Sequence, residues 1–274
     1  MKPRLAVPDA LAFLPLMRGL ERPDATVELV RDSPSRVALM LAGARNGIKC
    51  AVVSPIDYAR HGGSYRIVPG IAVSSSVPSG TAVLRIRPDA RSVRTMATDL
   101  SANAEIVLAS ILLAEKFPPA GGEHRIVTIH PVEDIAAATF ERNDAILEYR
   151  PYPFAGEPEG FVLDLYAEWS DMTDLPFVSG FWALREQDGS KALVSELRLA
   201  MERGVMVRKE AARDTALVKS LPIDAAVSRA AAFDYRLDEE HLASVEEYFR
   251  LAFFHGILAE VPDLKFYDPD EWEE

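Results

Sequence analysis

The sequence predicts a two-lobed α/β fold, with parallel-rich mixed sheets and a cleft between the lobes. Three observations carry this. Short runs of β-formers alternate with helical patterns from the N-terminus to about residue 150. Residues 49–53 are almost continuously apolar, as in a strand covered on both faces. A β-run also ends twice in Ser-Pro, at Ser33-Pro34 and at Ser54-Pro55, and a helical pattern follows each time. Alternation at this spacing needs crossover connections, and these make a largely parallel sheet.

Residues 4–7 and 27–30 are the first two predicted strands, separated by a helical pattern over 12–20. The helix opened by Ser33 carries Val37, Leu39, Met40 and Leu41 on its apolar side and stops near Gly43. Ser54 opens a short helix through Ala59, which the Gly62-Gly63 turn closes. Strand material follows at 65–68, 71–75 and 82–87. A further strand at 93–97 leads through Asp99-Leu100-Ser101 into a long apolar helix ending near Phe117. Pro118-Pro119 and Gly121-Gly122 mark a loop, and strands at 125–129 and 145–149 flank a helix predicted over 132–140.

The Pro- and Gly-rich stretch 151–160 reads as a surface loop. Residues 161–169 read as a helix and 177–184 as a strongly apolar strand, with helices after it at 190–208, 222–231 and 237–258 and a solvated acidic end at 268–274. The lobe division this implies is 1–87 plus 184–274 for the first lobe and 88–183 for the second, joined by hinge strands near 82–87 and 177–184. Ligands of such folds sit between the lobes. Tyr65, Trp169, Phe177, Phe181 and Trp182 lie near the expected cleft edges, where core packing is their main expected role.

The 274 residues, 49% hydrophobic and 26% charged, describe a globular protein. A formal charge of −12 argues against binding a nucleic-acid backbone, while leaving room for a local anion site. The single cysteine, Cys50, sits in an apolar run and reads as a small hydrophobe. Pro8, Asp9 and Pro15 interrupt any secretory apolar stretch, and no run is long enough to span a membrane. The cytoplasm is therefore the expected location. No metal motif, phosphate loop or Ser-His-Asp order stands out, and no metal or cofactor is called for.

Ser is a preferred helix N-cap and Pro suits the first helical position. The two Ser-Pro helix starts would therefore aim free N–H groups and partial positive charge at the space above the sheet, which suits a carboxylate. Candidate ligand-binding residues are Ser33, Ser35, Ser54, Ser74, Ser75, Ser101 and Asn103. Asp9, just past the first strand, is the candidate catalytic base, with a capping or turn role as the competing reading. His124 and His130 flank a predicted strand and are weaker candidates for the cleft.

RDSPSRVALML, AVVSPIDYAR and YRIVPGIAVSS, in this order and spacing, together with EWSDMTDLPFVSGFWALRE, resemble the menaquinone-biosynthesis MqnA/MqnD family. The resemblance implies a fold like that of type II periplasmic binding proteins, in cytoplasmic enzymes that act on carboxylates held between the lobes. One branch dehydrates chorismate to 3-enolpyruvylbenzoate; the other opens cyclic dehypoxanthine futalosine. The chain departs from the family at three places. Ala12 stands where the dehydratase branch has an Asn thought to take part in the elimination. The start of the long helix reads Ser101-Ala102-Asn103-Ala104-Glu105 in place of an Arg-Thr-Ser type sequence, and Glu148-Tyr149-Arg150-Pro151 replaces a Gly-Asp segment. Glu105 would oppose an anion placed beside it. Two functions follow: a chorismate dehydratase-like hydro-lyase, or a non-catalytic or differently catalytic binder of a small anion on the same scaffold.

Overall fold

The computed structural model describes residues 2–43, 47–61, 64–117, 126–153 and 161–268. The Gly62-Gly63 turn, the 118–122 loop, His124, most of the 151–160 stretch and the acidic end beyond residue 268 lie outside them.

Two five-stranded sheets form the frame. In the first, β1 (Arg4–Pro8) pairs in parallel with β2 (Glu28–Asp32) and β3 (Ile48–Val53), while β10 (Phe177–Leu184) runs antiparallel between β3 and β4 (Arg66–Ser75). In the second, β6 (Thr95–Thr98) pairs in parallel with β7 (Thr128–Pro131) and β8 (Ala145–Tyr149), and β5 (Ala82–Ile86) runs antiparallel between β8 and β9 (Phe161–Asp164). The chain thus passes from the first sheet to the second between Ser75 and Ala82 and returns between Asp164 and Phe177. The sequence-drawn lobe boundaries fall later than these crossings, because all of β5 belongs to the second sheet and all of β10 to the first. Pro88 marks where a strand ends, which is a different point from where the chain changes sheet.

The Ser-Pro starts open α2 (Pro34–Ala42) and α3 (Pro55–Arg60) where the sequence places them. A 3-10 turn at Leu11–Phe13 leads into α1 (Leu14–Leu20), and α4 (Asn103–Lys116) is the long apolar helix of the second lobe. Three predicted elements change. Residues 161–169 are not one helix: Phe161–Asp164 is the edge strand β9, and α5 (Leu165–Thr173) begins only where the Asp164 carboxylate accepts the N–H groups of Tyr166 and Ala167. The helix predicted over 132–140 shrinks to a 3-10 turn at Ile135–Ala137 with no buried residue, so no core face supports it. Strand material at 65–68 and 71–75 merges into β4, which passes through Gly70 at φ +84°.

After β10 come α6 (Lys191–Met206), α7 (Arg208–Lys219), α8 (Ile223–Ala231) and α9 (Glu239–Phe254). The sequence pattern does not reveal α7, whose buried face is Ala211, Ala212, Thr215 and Ala216 rather than a stripe of large apolar side chains. The aromatics Tyr65, Trp169, Phe177, Phe181 and Trp182 are buried core, as expected. Near the C-terminus, the Ile67 N–H donates to Lys265 O (2.8 Å) and the Tyr267 N–H to Ile67 O (2.9 Å), which covers part of the outer edge of β4.

Helices α1 and α6 cross at two glycines. A Cβ on Gly204 would lie 1.8 Å from the Pro15 carbonyl oxygen, and one on Gly19 would lie 1.7 Å from the Ala200 carbonyl oxygen. Both obstacles are backbone, so neither yields by a rotamer change. Gly204→Ala is predicted to lower stability by about 1–3 kcal/mol through overpacking, whereas Glu202→Ala, at an exposed position of the same helix, should be near neutral. Urea denaturation checks both, and equal midpoints would contradict the packing account.

Candidate functional site

The carboxyl ends of the parallel strands in the two sheets face each other, the position at which open α/β sheets hold ligands. A cavity of about 450 Å³ opens there. Asp9, Arg31, Asp32, Ser33 and Pro34 line it from the first lobe, and Asp99, Ser101, Tyr149 and Pro151 from the second. Of the sequence-picked residues, Asp9, Ser33 and Ser101 meet at this cavity. Asp32, Asp99, Tyr149 and Pro151 were not picked, although each lies at or just past the carboxyl end of a parallel strand, which is the signal that finds them.

Asp9 is held in place. The Tyr152 hydroxyl donates to its Oδ1 at 2.7 Å, Lys219 Nζ lies 3.8 Å from its Oδ2, and Lys219 also sits 4.3 Å from the centroid of the Tyr152 ring. Burial, the bond to Asp9 and the Asp9 charge together raise the Tyr152 phenol, so it stays a donor. Ser33 makes no side-chain cap, and its backbone N–H donates to Asp32 Oδ1 at 2.8 Å. The Ser101 N–H donates likewise to Asp99 Oδ1 at 3.0 Å, while Ser101 Oγ is buried with no hydrogen-bond partner among the described residues. The Tyr149 side chain is nine-tenths buried at the cavity wall. Burial and the nearby Glu105 charge push its phenol well up, and its hydroxyl has no hydrogen bond among the described residues.

The remaining candidates hold the lobes together or support the core. Ser35 reaches across the cleft: its Oγ donates to Leu100 O at 2.9 Å and its N–H to Ser101 O at 3.1 Å. Ser54 is buried, caps α3 by accepting the Asp57 N–H, and donates its Oγ to Asp57 Oδ2 at 2.6 Å. Asn103, on the second lobe, donates its Nδ2 to Asp57 Oδ1 at 2.8 Å. Ser54 and Asn103 therefore converge on Asp57 instead of on open space. Burial raises the Asp57 carboxyl, while these two bonds pull it back down. Ser74 Oγ lies 2.9 Å from His241 Nε2, whose Nδ1 is 2.6 Å from Asp238 Oδ1. Ser75 Oγ bonds to the carbonyls of Val77 and Ala232. Neither serine lines the cavity. His130 Nδ1 bonds to Asn143 Oδ1 at 2.9 Å.

Ala12 is buried, and its carbonyl accepts the Tyr235 hydroxyl at 2.9 Å. Glu105 does not line the cavity. It is buried at the start of α4, where Oε1 accepts the Tyr166 hydroxyl at 2.7 Å. Among the described residues, no group of three or more His, Cys, Asp or Glu side chains is placed to hold a metal ion, and no helix is long and apolar enough to cross a membrane.

Burial pushes the Glu105 carboxyl from 4.5 up to about 7, against the lowering effect of the Tyr166 bond. The folded protein then keeps a proton that the unfolded chain releases. Glu105 therefore costs progressively more stability as pH rises from about 4.5 to about 7, and the full cost persists above that window. The prediction is that Glu105→Gln gains on the parent protein between about pH 5 and about pH 8. Urea denaturation across that range measures it, and a stability difference that does not change with pH would contradict it.

A menaquinone biosynthesis family model matches residues 3–253 of the chain. The fold is similar to that of protein AF1704 from Archaeoglobus fulgidus, at 19% identity and a TM-score of 0.66 over 93% of this chain and 98% of that one. It is also similar to the periplasmic aliphatic sulphonate binding protein SsuA from Escherichia coli, at 13% identity and a TM-score of 0.65 over 97% and 92% of the two chains. A third similar structure is the alkanesulfonate-binding protein SsuA from Xanthomonas axonopodis pv. citri bound to MOPS, at 14% identity and a TM-score of 0.62 over 95% of each chain. At these identities the structures speak for the fold alone, which is that of periplasmic binding proteins. The family match spans nearly the whole chain, and the protein belongs to the menaquinone biosynthesis family.

Proposed function

We propose that the protein binds a small polar metabolite in the cavity between its lobes, with Asp9, Ser33, Ser101 and Tyr149 as contacts. The observation that carries this reading is the cavity itself, about 450 Å³ at the carboxyl ends of both sheets, with Ser101 on its wall, whose Oγ has no hydrogen-bond partner among the described residues. That volume lies within the range usual for small-molecule sites, and a buried hydroxyl without a partner costs free energy that a ligand bond would recover. Similar folds include the sulfonate-binding SsuA proteins, one of them bound to MOPS, which supports a small-molecule role for this scaffold. The reading places the protein in the cytoplasm, as with the enzymes its sequence resembles.

The second reading is a chorismate dehydratase-like lyase acting on a small carboxylate, and the position of Asp9 favours it. Its carboxylate is on the cavity wall, oriented by Tyr152, where a base would stand. The binding reading takes precedence because Ala12 is buried and has no polar side-chain atom to offer, and Glu105 is turned into the second lobe.

The test exposes the purified protein to a small-molecule extract of its source cells, removes unbound material, and identifies retained compounds by mass spectrometry. Retention of a defined metabolite, lost in a cavity-filling Ser101→Trp variant that still folds by circular dichroism, is the expected result. Equal retention by both proteins, or none, would contradict the reading. Incubation with chorismate decides the second: 3-enolpyruvylbenzoate formation that Asp9→Asn abolishes would establish the lyase and displace the binding reading.

A further inference from the structure

We infer that the release of one proton from Glu105 loosens the seam between the lobes and so widens access to the cavity. The first turn of α4 is where the parts of the molecule meet. Asn103 Nδ2 donates to Asp57 Oδ1 of α3 at 2.8 Å, the Ala104 carbonyl accepts the Tyr248 hydroxyl of α9 at 3.1 Å, and Glu105 Oε1 accepts the Tyr166 hydroxyl of α5 at 2.7 Å. Helices α3 and α9 pack on β10 of the first sheet, whereas α5 packs on β5 and β9 of the second. Glu105 thus stands on the second lobe's side of the seam, within two residues of the tie to Asp57, and is 3% exposed. No cation pairs with it among the described residues.

The titratable groups that face Glu105 are Asp57 from α3, Tyr149 from β8, Tyr166 from α5 and Tyr248 from α9. Arg60 and His61 act on Asp57, and Arg229 of α8 acts on Tyr149 and Tyr166. Burial pushes the three phenols well up, and Arg229, lowered by burial to about 10, stays a cation. None of these four changes charge near neutral pH. Glu105 does, because burial, with the Asp57 charge adding to it, raises its carboxyl to about 7 against the Tyr166 bond.

An ionised Glu105 adds a second buried negative charge to the seam that already holds Asp57. Like charges repel more strongly there than in water, and neither has a cation to offset the other. Opening the seam lets water reach Glu105 and returns its proton affinity toward the ordinary value. The closed seam therefore holds the proton and the open seam releases it, so rising pH favours opening and falling pH favours closure.

Amide hydrogen exchange reads the seam directly, because two backbone N–H groups donate across it: Leu11 to Pro151 O at 2.8 Å and Ser35 to Ser101 O at 3.1 Å. The Asp9 N–H to Asp32 O (2.8 Å) and the Arg150 N–H to Thr81 O (2.7 Å) each stay within one lobe and serve as controls. After correction for the intrinsic effect of pH, protection at Leu11 and Ser35 is expected to fall about tenfold between pH 6 and pH 8 and to stay below that of the controls at both. Tenfold is the linkage of a carboxyl that returns from about 7 to about 4.5 when the seam opens. Glu105→Gln keeps the side-chain shape and cannot titrate, so its seam amides should show no fall. No fall in the parent protein, an equal fall in Glu105→Gln, or seam amides as protected as the controls and so exchanging only by unfolding, would each overturn the inference.

Discussion

The Asp57 carboxylate is the group on which the arrangement of the two lobes turns. It sits in the first turn of α3, receives the Ser54 hydroxyl from its own lobe, and receives the Asn103 amide from the start of α4 in the other. A buried carboxylate is tolerable only when its lone pairs are satisfied. Removing either donor would leave that charge short of a partner, which costs more than the bond itself contributes. The same seam is stitched by Ser35 to residues 100 and 101, by the Leu11 N–H to Pro151 O at 2.8 Å, and by the Tyr152 hydroxyl to Asp9. These ties bring the carboxyl ends of the two sheets together and enclose the cavity between them.

The two Ser-Pro helix starts show how one local signal serves two ends. Both open helices at the residues the sequence indicates, because the cap and proline rules depend on backbone geometry alone. Their side chains then diverge. Ser54 caps in the ordinary way and is buried, whereas Ser33 makes no side-chain cap, gives its own N–H to Asp32 and stands at the cavity. What lies above a helix N-terminus is decided by the residue just before it and by the opposite lobe, neither of which the motif contains.

The parallel core was legible because β3 and its neighbours are apolar on both faces, and α4 because its apolar face is made of large residues. Helix α7 was not, since alanines bury as well as leucines against a close neighbour while leaving little periodic signal. Strand β9 was misread because Phe161, Val162 and Leu163 fit either periodicity, and only the Asp164 cap places the helix start. Of the site, Asp9, Ser33 and Ser101 were found from strand ends and cap chemistry. Asp32, Asp99 and Tyr149 were not, because acidic and aromatic residues at a strand end have many other uses. The scaffold of the menaquinone biosynthesis family is retained, while Ala12 and Glu105 are both withdrawn from the cavity, into the core and into the second lobe.

These polar ties hold the two lobes in one arrangement. Cys50 is buried with its thiol pushed up by desolvation, so spin labels would go to introduced cysteines. Labels at Leu39→Cys on α2 and Asp89→Cys in the second lobe, both exposed positions, report the separation of the lobes. Pulsed electron double resonance on the ligand-free protein should give one narrow distance distribution at the separation of this structure, broadening toward longer distances when Asn103→Ala releases Asp57. A broad distribution in the parent protein, unchanged by Asn103→Ala, would contradict the claim.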